Sequence, residues 1–321
     1  MIMSNVMMMT MRESYGKTLV KLGEKYKNIV VLDADISKST CTYYFGKRFP
    51  QRWFNFGVAE QNMVSAAAGL ATCGKIPFVN TYAVFASMRA CEQIRTMIAY
   101  PCLNVKIVAS HGGISTGWDG VTHQGTEDIG IMRCIPNMTV VSPADPIATE
   151  KLIEISVKHK GPMYIRLARN PCPIIYGDDE KFTLGKAKIL KEGNDVTIVA
   201  TGIMVFEALK AEEVLRSKGI YARVVDIHTI KPIDEDMIVD SAKKTNAILT
   251  AEDHNILGGL GSAVAEILCR SYPAPMEFVG LKDTFGESGS PQELFKKYGL
   301  SHKHIVHRAL KLLKRKKKVK V

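Results

Sequence analysis

The sequence lacks the cysteine patterns that build disulfide frameworks or zinc sites. Its seven cysteines are odd in number and scattered, and none forms a C-x-x-C pair. Such spacing is typical of reduced proteins, so we expect a cytoplasmic chain. No apolar run reaches about 18 residues, and the Met-rich start has no basic flank ahead of an apolar core. We therefore expect neither a membrane span nor a signal peptide.

Signatures of several nucleotide-binding and hydrolase classes are also missing. There is no P-loop and no G-x-S-x-G motif. A glycine-rich run at residues 258–261 follows a predicted strand, but Val264 stands where a dinucleotide-binding loop needs its third glycine. Residues 252–257 separate this run from the strand, whereas a dinucleotide fold needs a short turn there. These departures argue against NAD binding.

Positive charge is in excess but concentrated at one end of the chain. The net charge is +11, and much of the excess lies in residues 311–320. No aromatic side chains interleave with these lysines, so the basic tail, residues 313–321, offers no stacking platform for bases. We interpret the tail as the solvated end of a helix, where cations suit the helix dipole, and we do not expect nucleic-acid binding.

Short β-branched runs alternate with longer amphipathic stretches along the chain. Residues 105–109, for example, predict a strand, and residues 144–159 predict a helix. The alternation predicts an α/β fold with two domains, each a mainly parallel sheet flanked by helices. A polar, proline-containing stretch interrupts it at residues 171–194, which we predict to be a linker between domains at 8–170 and 195–312.

One carboxylate stands where an aromatic strand turns into a helix of small residues. Glu60 directly follows the run 54–59, Phe-Asn-Phe-Gly-Val-Ala. Spacing alone favours an acid that faces the dipole at a helix N-terminus. The functional alternative is a carboxyl in an apolar pocket that can give a proton to a ring nitrogen.

A pair of aromatic residues begins the next predicted helix. Tyr82 and Phe85, followed by Arg89, fall on one face of that helix. The pattern is consistent with core packing and also with a cradle for a flat ring.

A polar, Gly-rich loop at residues 110–124 follows a strand and contains His111, Asp119 and His123. Parallel α/β folds bind ligands at the carboxyl ends of their strands. A simple connection does not need so many ionisable side chains, so the loop predicts a binding or catalytic function.

Two arginines, Arg166 and Arg169, end a further predicted strand. Arginine suits bidentate recognition of phosphate or carboxylate. A surface ion pair is the plainer alternative.

Taken together, these motifs resemble the transketolase family across nearly the whole chain. The run 58–63, Val-Ala-Glu-Gln-Asn-Met, is similar to the family's activating-glutamate motif. His111 and the run 119–124, Asp-Gly-Val-Thr-His-Gln, are similar to its substrate loop. The resemblance implies a thiamine diphosphate pyrimidine-binding domain at 8–170 and a transketolase C-terminal domain at 195–312. It implies transfer of a two-carbon ketol unit between sugar phosphates, as in the pentose phosphate pathway.

The resemblance also implies roles toward the cofactor. Glu60 would hydrogen-bond the pyrimidine N1′ of thiamine diphosphate. Phe85 would pack on the pyrimidine, with Tyr82 beside it where the family usually has Phe. Asp35 would lie near the cofactor across a subunit contact. Arg89 has no clear equivalent and stays unassigned.

Further roles follow for the substrate. Ser39, His111 and Arg169 would hold the phosphate of the sugar. Asp119 would bind the hydroxyl next to the reacting carbon. His123 would contact the oxygens at the ketose end and help to move protons.

The half of the family that binds the diphosphate has no counterpart in the sequence. There is no Gly-Asp-Gly followed by the Asn that, in thiamine enzymes, helps to hold Mg²⁺ and the diphosphate. The chain therefore resembles archaeal-type split transketolases. This implies a partner, an N-terminal subunit that carries the Mg²⁺ site, and a homodimer of this chain within a heterotetramer. Substrates would be of the xylulose 5-phosphate and ribose 5-phosphate type.

Three alternatives share this architecture. A 1-deoxy-D-xylulose-5-phosphate synthase has a stretch like 122–125, Thr-His-Gln-Gly, but typically Arg where His111 stands. The β subunit of a 2-oxo acid dehydrogenase is natively split but lacks this histidine and its loop partners. A non-catalytic binding protein of the same fold would not need Glu60. His111 therefore favours a transketolase.

Overall fold

The computed structural model describes residues 7–318 as two α/β halves, each built on its own sheet. The strands of the first half are β1 (Met8–Thr10), β2 (Ile29–Asp33), β3 (Trp53–Asn55), β4 (Ile76–Tyr82), β5 (Lys106–Ser110), β6 (Thr139–Val141), β7 (Met163–Arg166) and β8 (Pro171–Pro173). Its helices are α1 (Met11–Lys25), α2 (Ser37–Thr40), α3 (Tyr43–Arg48), α4 (Glu60–Thr72), α5 (Cys91–Gln93), α6 (Asp128–Cys134) and α7 (Pro146–Lys158). Shorter 3₁₀ segments are Pro50–Arg52, Ile114–Asp119 and Val121–His123, and π turns are Phe85–Arg89 and Ile94–Ala99.

The second half repeats the alternation of strands and helices. Its strands are β9 (Lys188–Lys191), β10 (Val196–Ala200), β11 (Ala222–Asp226), β12 (Thr229–Lys231), β13 (Ile248–Asn255) and β14 (Met276–Leu281). Its helices are α8 (Met204–Arg216), α9 (Glu235–Thr245), α10 (Leu260–Ser271), α11 (Pro291–Tyr298) and α12 (His302–Lys318). None of the helices within residues 7–318 combines the length and apolar character needed to cross a membrane.

The first sheet has the strand order β12-β6-β7-β5-β4-β2-β3, and its strands from β2 to β7 run parallel. Successive residues of β2 face opposite cores, as a pleated strand requires. Ile29 and Val31 belong to the core under α1 and α7, whereas Val30 and Leu32 belong to the core under α4. Helices therefore cover both faces, which explains why this strand is apolar without alternation.

The second sheet has the order β14-β13-β10-β11-β9 and is parallel except for β9. The predicted fold class, two mainly parallel α/β domains, is confirmed. Each sheet also has one antiparallel edge strand, β12 or β9. Strand β12 comes from the second half but pairs with β6 of the first, so the first sheet extends beyond the predicted domain boundary.

The segment that we predicted as a linker, residues 171–194, is ordered as part of the fold. It contains β8, which pairs with β1, and β9, which pairs with β11. Between these strands it buries the rings of Tyr176 and Phe182. The strand β8 escaped prediction because it is Pro-Cys-Pro, and proline occurs in strands only where its missing N–H is not needed.

The basic tail, predicted as a solvated helix end, is in part a packed helix. Helix α12 continues to Lys318, and residues 319–321 lie outside the described part of the chain. Arg315 donates to Glu277 and to the Met276 carbonyl, and Lys316 donates to the Asp195 carbonyl at 2.9 Å. Two charges of the tail, Arg315 and Lys316, therefore attach α12 to the second half.

The glycine-rich run at residues 258–261 meets a carboxylate of its own chain. Glu252 accepts hydrogen bonds of 2.7 Å from the N–H groups of Leu260 and Gly261, the first residues of α10. A Cβ at Gly259 would lie 2.0 Å from Glu252 Oε2, so glycine is required for this approach. The helix N-terminus that a pyrophosphate would occupy is thus already capped, which agrees with the argument against NAD binding.

A buried carboxylate lies where the second sheet meets the segment 171–194. Asp226 ends β11 without solvent exposure and accepts a 2.6 Å hydrogen bond from Tyr176 Oη. Its Oδ1 has no hydrogen-bond partner among the described residues. Burial raises the pKa of Asp226 to about 7 and lowers the pKa of the nearby His228 to about 4. Burial therefore favours the neutral form of each group.

We expect Asp226→Asn to stabilise the chain more at pH 8 than at pH 5. Since folding raises the pKa of Asp226, the stability that its proton provides is lost as pH rises toward about 7. Asparagine does not ionise, so the variant does not lose this stability as pH rises. The titration of His228 acts in the opposite direction, but it is the same in the native chain and the variant and cancels from the comparison. Urea unfolding should give a gain larger by on the order of 1–2 kcal/mol at pH 8. The exposed control Asp178→Asn should show no such difference, and equal gains at both pH values would contradict the prediction.

Candidate active site

Glu60 lies in the first turn of α4, beside the carboxyl end of β4. The chain turns from β3 into this helix through Gly57, which has a φ of 69°. Only 2% of the Glu60 side chain is exposed. Its Oε1 accepts from Thr81 Oγ1 at 3.2 Å, and its Oε2 accepts from Arg89 Nη1 at 2.9 Å. Glu60 is thus both the helix N-terminal acid that the spacing favoured and a buried carboxylate. Its immediate partners are polar at both oxygens, whereas the functional alternative placed it in an apolar pocket.

Four rings contact one another near Arg89, the partner of Glu60, and we call them the ring cluster: Tyr82, Phe85, His111 and His123. Tyr82 stacks on Phe85 with centroids 5.7 Å apart and on His111 at 3.8 Å. His123 meets Tyr82 and Phe85 edge-on at 5.8 Å and 5.4 Å. These residues belong to two separate sequence motifs, and in the structure their rings contact one another.

Arg89, which the sequence left unassigned, contacts two predicted cofactor residues. Besides its bond to Glu60, its guanidinium carbon lies 4.3 Å from the centre of the Phe85 ring. A flat, hydrogen-bonding cation therefore fits between the carboxylate and this ring. The aminopyrimidine of thiamine diphosphate is also flat and forms hydrogen bonds, so these residues fit that part of the cofactor.

His111 lies at the carboxyl end of β5 in a left-handed backbone conformation, with a φ of 63°. Its Nδ1 is 2.9 Å from Ser110 Oγ, and its ring is almost fully buried. Burial, supported by the positive charges of Arg12 and Arg169, lowers the pKa of His111 to about 2. The imidazole is therefore neutral at physiological pH and acts as a hydrogen-bonding group rather than as a cation.

Two arginines converge beside His111. Arg12 donates from Nε to the Arg169 carbonyl at 2.9 Å and from Nη1 to the Ser39 carbonyl. Arg169 donates to the Thr116 carbonyl at 2.7 Å and pairs with Asp119 Oδ1 at 3.3 Å. The two guanidinium groups form a positive corner suited to an oxyanion. Asp119 and Arg169, to which we gave separate substrate roles, are ion-paired partners here.

No pattern in the sequence indicated that Arg12 belongs to the site. It is the second residue of α1, far along the chain from the loop at 110–124, and belongs to no motif. Only the tertiary packing of α1 brings it to His111.

Asp35 lies apart from these contacts, on the exposed turn after β2. Its Oδ1 accepts from Asn55 Nδ2 at 2.8 Å, and its φ is 65°. The predicted role of Asp35 depends on a subunit contact and stays a prediction.

The diphosphate end of the cofactor finds less support. Within residues 7–318, no group of three or more His, Cys, Asp or Glu side chains is arranged to hold a metal ion. The described residues thus fit the pyrimidine of the cofactor and offer no Mg²⁺ cluster of their own.

Two family models match the chain. One describes the pyrimidine binding domain of transketolase and matches residues 7–173, and the other describes the transketolase C-terminal domain and matches residues 185–305. The chain belongs to the transketolase family. A transketolase-family relative from Methanocaldococcus jannaschii is 51% identical over 308 residues, which cover 95% of this chain and 96% of the relative.

Other similar proteins are a transketolase subunit and a split-gene transketolase. The 6-deoxy-6-sulfo-D-fructose transketolase subunit SqwH of Clostridium sp. is 46% identical and covers 95% of each chain. A solved structure of a split-gene transketolase, an inactive β4 tetramer, superposes with a TM-score of 0.90 at 51% identity. That match covers 95% of this chain and 99% of the other.

In this transketolase-family chain, the second half holds the loop at 110–124 in place. Asp253, in β13, accepts from Ile114 N at 3.0 Å and from Ser115 N at 3.2 Å, although both amides belong to the first half. A Cβ at Gly113 would lie 2.1 Å from Asp253 Oδ2, and Gly113 has a φ of 80°. The loop is therefore Gly-rich in part because a carboxylate of the other half approaches its backbone.

Arg166 completes the junction between the halves. Its Nε pairs with Asp128 at 2.8 Å, and its Nη2 donates to the carbonyls of Gly125 and Asp253 at 2.9 Å and 2.8 Å. A Cβ at Gly112 would meet the Arg166 side chain at 2.6 Å. Of the two arginines that the sequence paired, Arg166 is structural and Arg169 faces the loop.

We expect Asp253→Ala to loosen the loop at 110–124, because it leaves two buried N–H groups without an acceptor. The loss of stability should be about 1–3 kcal/mol, and Asp253→Asn, which keeps one acceptor oxygen, should lose less. Hydrogen exchange should become faster in peptides that contain Ile114 and Ser115. The exposed control Asp236→Ala should leave this exchange unchanged. Unaltered exchange in Asp253→Ala would show that the carboxylate does not hold the loop.

Proposed function

We propose that this chain is one component of a two-component transketolase that uses thiamine diphosphate to transfer a two-carbon ketol unit between sugar phosphates. The main support is the buried carboxylate of Glu60, whose ion-pair partner Arg89 lies over the face of Phe85, a ring that also contacts His123 of the loop at 110–124. This arrangement suits a pyrimidine ring on one side and a polar substrate on the other.

The work of this chain toward the cofactor is to bind and orient the pyrimidine. Thiamine diphosphate, when bound, supplies the nucleophile that cleaves the ketose carbon–carbon bond and the electron sink for the two-carbon unit. Glu60 would hold a proton at the pyrimidine N1′, and the N-terminal end of α4 fixes the position of its carboxyl group. Phe85 would support the face of the pyrimidine, with Tyr82 behind it.

On the substrate side, the positive corner of Arg12 and Arg169 would bind the anionic end of the sugar. His111 is neutral and buried, so it would add a hydrogen bond rather than charge. His123, at the edge of the ring cluster, would contact the oxygens near the reacting carbon. Asp119 would bind a sugar hydroxyl while paired with Arg169. This pairing would link the recognition of the hydroxyl by Asp119 to the recognition of the anionic end by Arg169.

A partner subunit is required by this scheme. It would be the N-terminal half of the enzyme and would supply the Mg²⁺ and diphosphate ligands, which are oxygen donors for a hard cation. A homodimer of this chain within a heterotetramer, in the cytoplasm, would place Asp35 near the neighbouring cofactor. The similar split-gene structure is an inactive β4 tetramer, which fits a half that needs its partner.

We expect Glu60→Gln to reduce the activity of the reconstituted enzyme by about 10²-fold or more while leaving assembly intact. Glutamine can touch a ring nitrogen but cannot exchange a proton with it. The direct measurement is the exchange rate of the C2 proton of thiamine diphosphate, with Glu92→Gln as an exposed acid control. A native exchange rate in Glu60→Gln would remove Glu60 from this role.

We expect the loop variants to divide into two groups. His111→Ala and Arg169→Ala should mainly raise KM for phosphorylated sugars, because they affect a remote anion that binds alike in the ground and transition states. His123→Ala and Asp119→Ala should lower kcat/KM for all donors. Hydroxypyruvate, a donor without a phosphate, should lose little with the first pair and much with the second.

Each of these variants must first be shown to keep the loop fold, since a Gly-rich loop can lose its shape from any one change. Equal losses with hydroxypyruvate in all four would contradict the assigned roles.

A sulfonated ketose, the kind of substrate named for one relative, tests whether the positive corner distinguishes a phosphate from a sulfonate.

A further inference from the structure

Arg89 occupies both contacts that the proposed function reserves for the pyrimidine. Its Nη1 donates to Glu60 Oε2 at 2.9 Å, and its guanidinium lies over Phe85 at 4.3 Å from the ring centre. A guanidinium is planar, donates hydrogen bonds in its own plane and stacks on aromatic faces. It therefore offers the carboxylate and the ring the same kinds of contact as an aminopyrimidine.

The backbone places Arg89 there through a π turn. Residues Phe85–Arg89 form this turn, and Ala90 N donates to the Phe85 carbonyl at 3.2 Å across five residues. The wider turn brings Arg89 back over Phe85, four residues earlier, so that its side chain reaches Glu60. Such turns are frequent at functional sites because they redirect a single side chain without ending the helix.

The two partners differ in how easily each can be released. Glu60 is 2% exposed, so its charge must be compensated within the protein. The Arg89 side chain is 43% exposed, so its charged end can move into water at little cost. A ligand that provides Glu60 with another hydrogen-bond donor can therefore displace Arg89, whereas Glu60 cannot leave.

We propose that Arg89 is a displaceable stand-in for the pyrimidine ring, which keeps the buried Glu60 paired until the cofactor binds. The proposal rests on the proposed function and adds to it a competing contact within the chain. Each binding event must first break the Arg89–Glu60 pair, so Arg89 lowers the affinity of the assembled enzyme for thiamine diphosphate. In the chain by itself, Arg89 stabilises the site.

The first test measures cofactor affinity by calorimetry. Each variant is reconstituted with the N-terminal partner and titrated with thiamine diphosphate at saturating Mg²⁺. Arg89→Met, which keeps length and removes the charge, should lower Kd about threefold to tenfold. Arg89→Lys, which keeps the charge but not the plane, should give a value between those of Arg89→Met and the native chain. Arg95→Met, on the same helical stretch and exposed, is the matched control and should not change Kd.

An unchanged or higher Kd in Arg89→Met would overturn the proposal, since a residue that holds the cofactor would weaken binding when removed. If the native chain, reconstituted with the N-terminal partner, does not bind the cofactor at all, the proposed function fails. That result is distinct from any difference in Kd between the variants.

The second test uses the chain without partner or cofactor. Arg89→Met should lower its melting temperature by several degrees, because the buried Glu60 loses its counter-charge. The double variant Glu60→Gln with Arg89→Met should regain most of the lost melting temperature. Arg89→Lys, which keeps a positive charge beside Glu60, should lose less than Arg89→Met. Additive losses would show that the pair is not coupled in the free chain and would overturn the proposal even if Arg89→Met proved too unstable for calorimetry.

Discussion

The arrangement of the site depends on one buried guanidinium. Arg166 ends a strand of the first sheet, pairs with Asp128 and donates to main-chain carbonyls of both halves. A buried arginine is tolerated only when its donors are bound, and here the bond to the Gly125 carbonyl also fixes the end of the loop at 110–124. Since His111 and His123 lie on that loop, the geometry of the ring cluster depends on this junction between the halves.

Charge in the site is arranged by burial as well as by pairing. His111 lies beside two arginines and is neutral, because a third positive charge in a buried position would be costly. The positive corner is therefore formed by arginines, which keep their protons, while the neutral His111 supplies a directional hydrogen bond. Asp119 pairs with Arg169 and offsets part of its positive charge.

The sequence was informative where local pattern determines structure. β-branched runs predicted the parallel strands, and the residue types near Glu60 and in the loop predicted a shared site at the strand ends, because strand order in α/β folds brings those ends together. It was not informative where long-range packing decides. Arg12 reaches the site only through the docking of α1, and Arg89 only through a π turn that no periodicity signals. The segment 171–194 seemed irregular because its strands lie at sheet edges, where alternation is weak.

Strand β12 gives the two halves a further dependence on each other. It covers the outer edge of β6, and Ser142 N donates to the His228 carbonyl at 2.9 Å just beyond that pairing. A chain cut between the halves would leave β6 with a row of open hydrogen-bonding groups, and such edges recruit strands from other molecules. The second half thus protects the first from aggregation, so that a fragment with every proposed catalytic side chain would still be a poor independent protein.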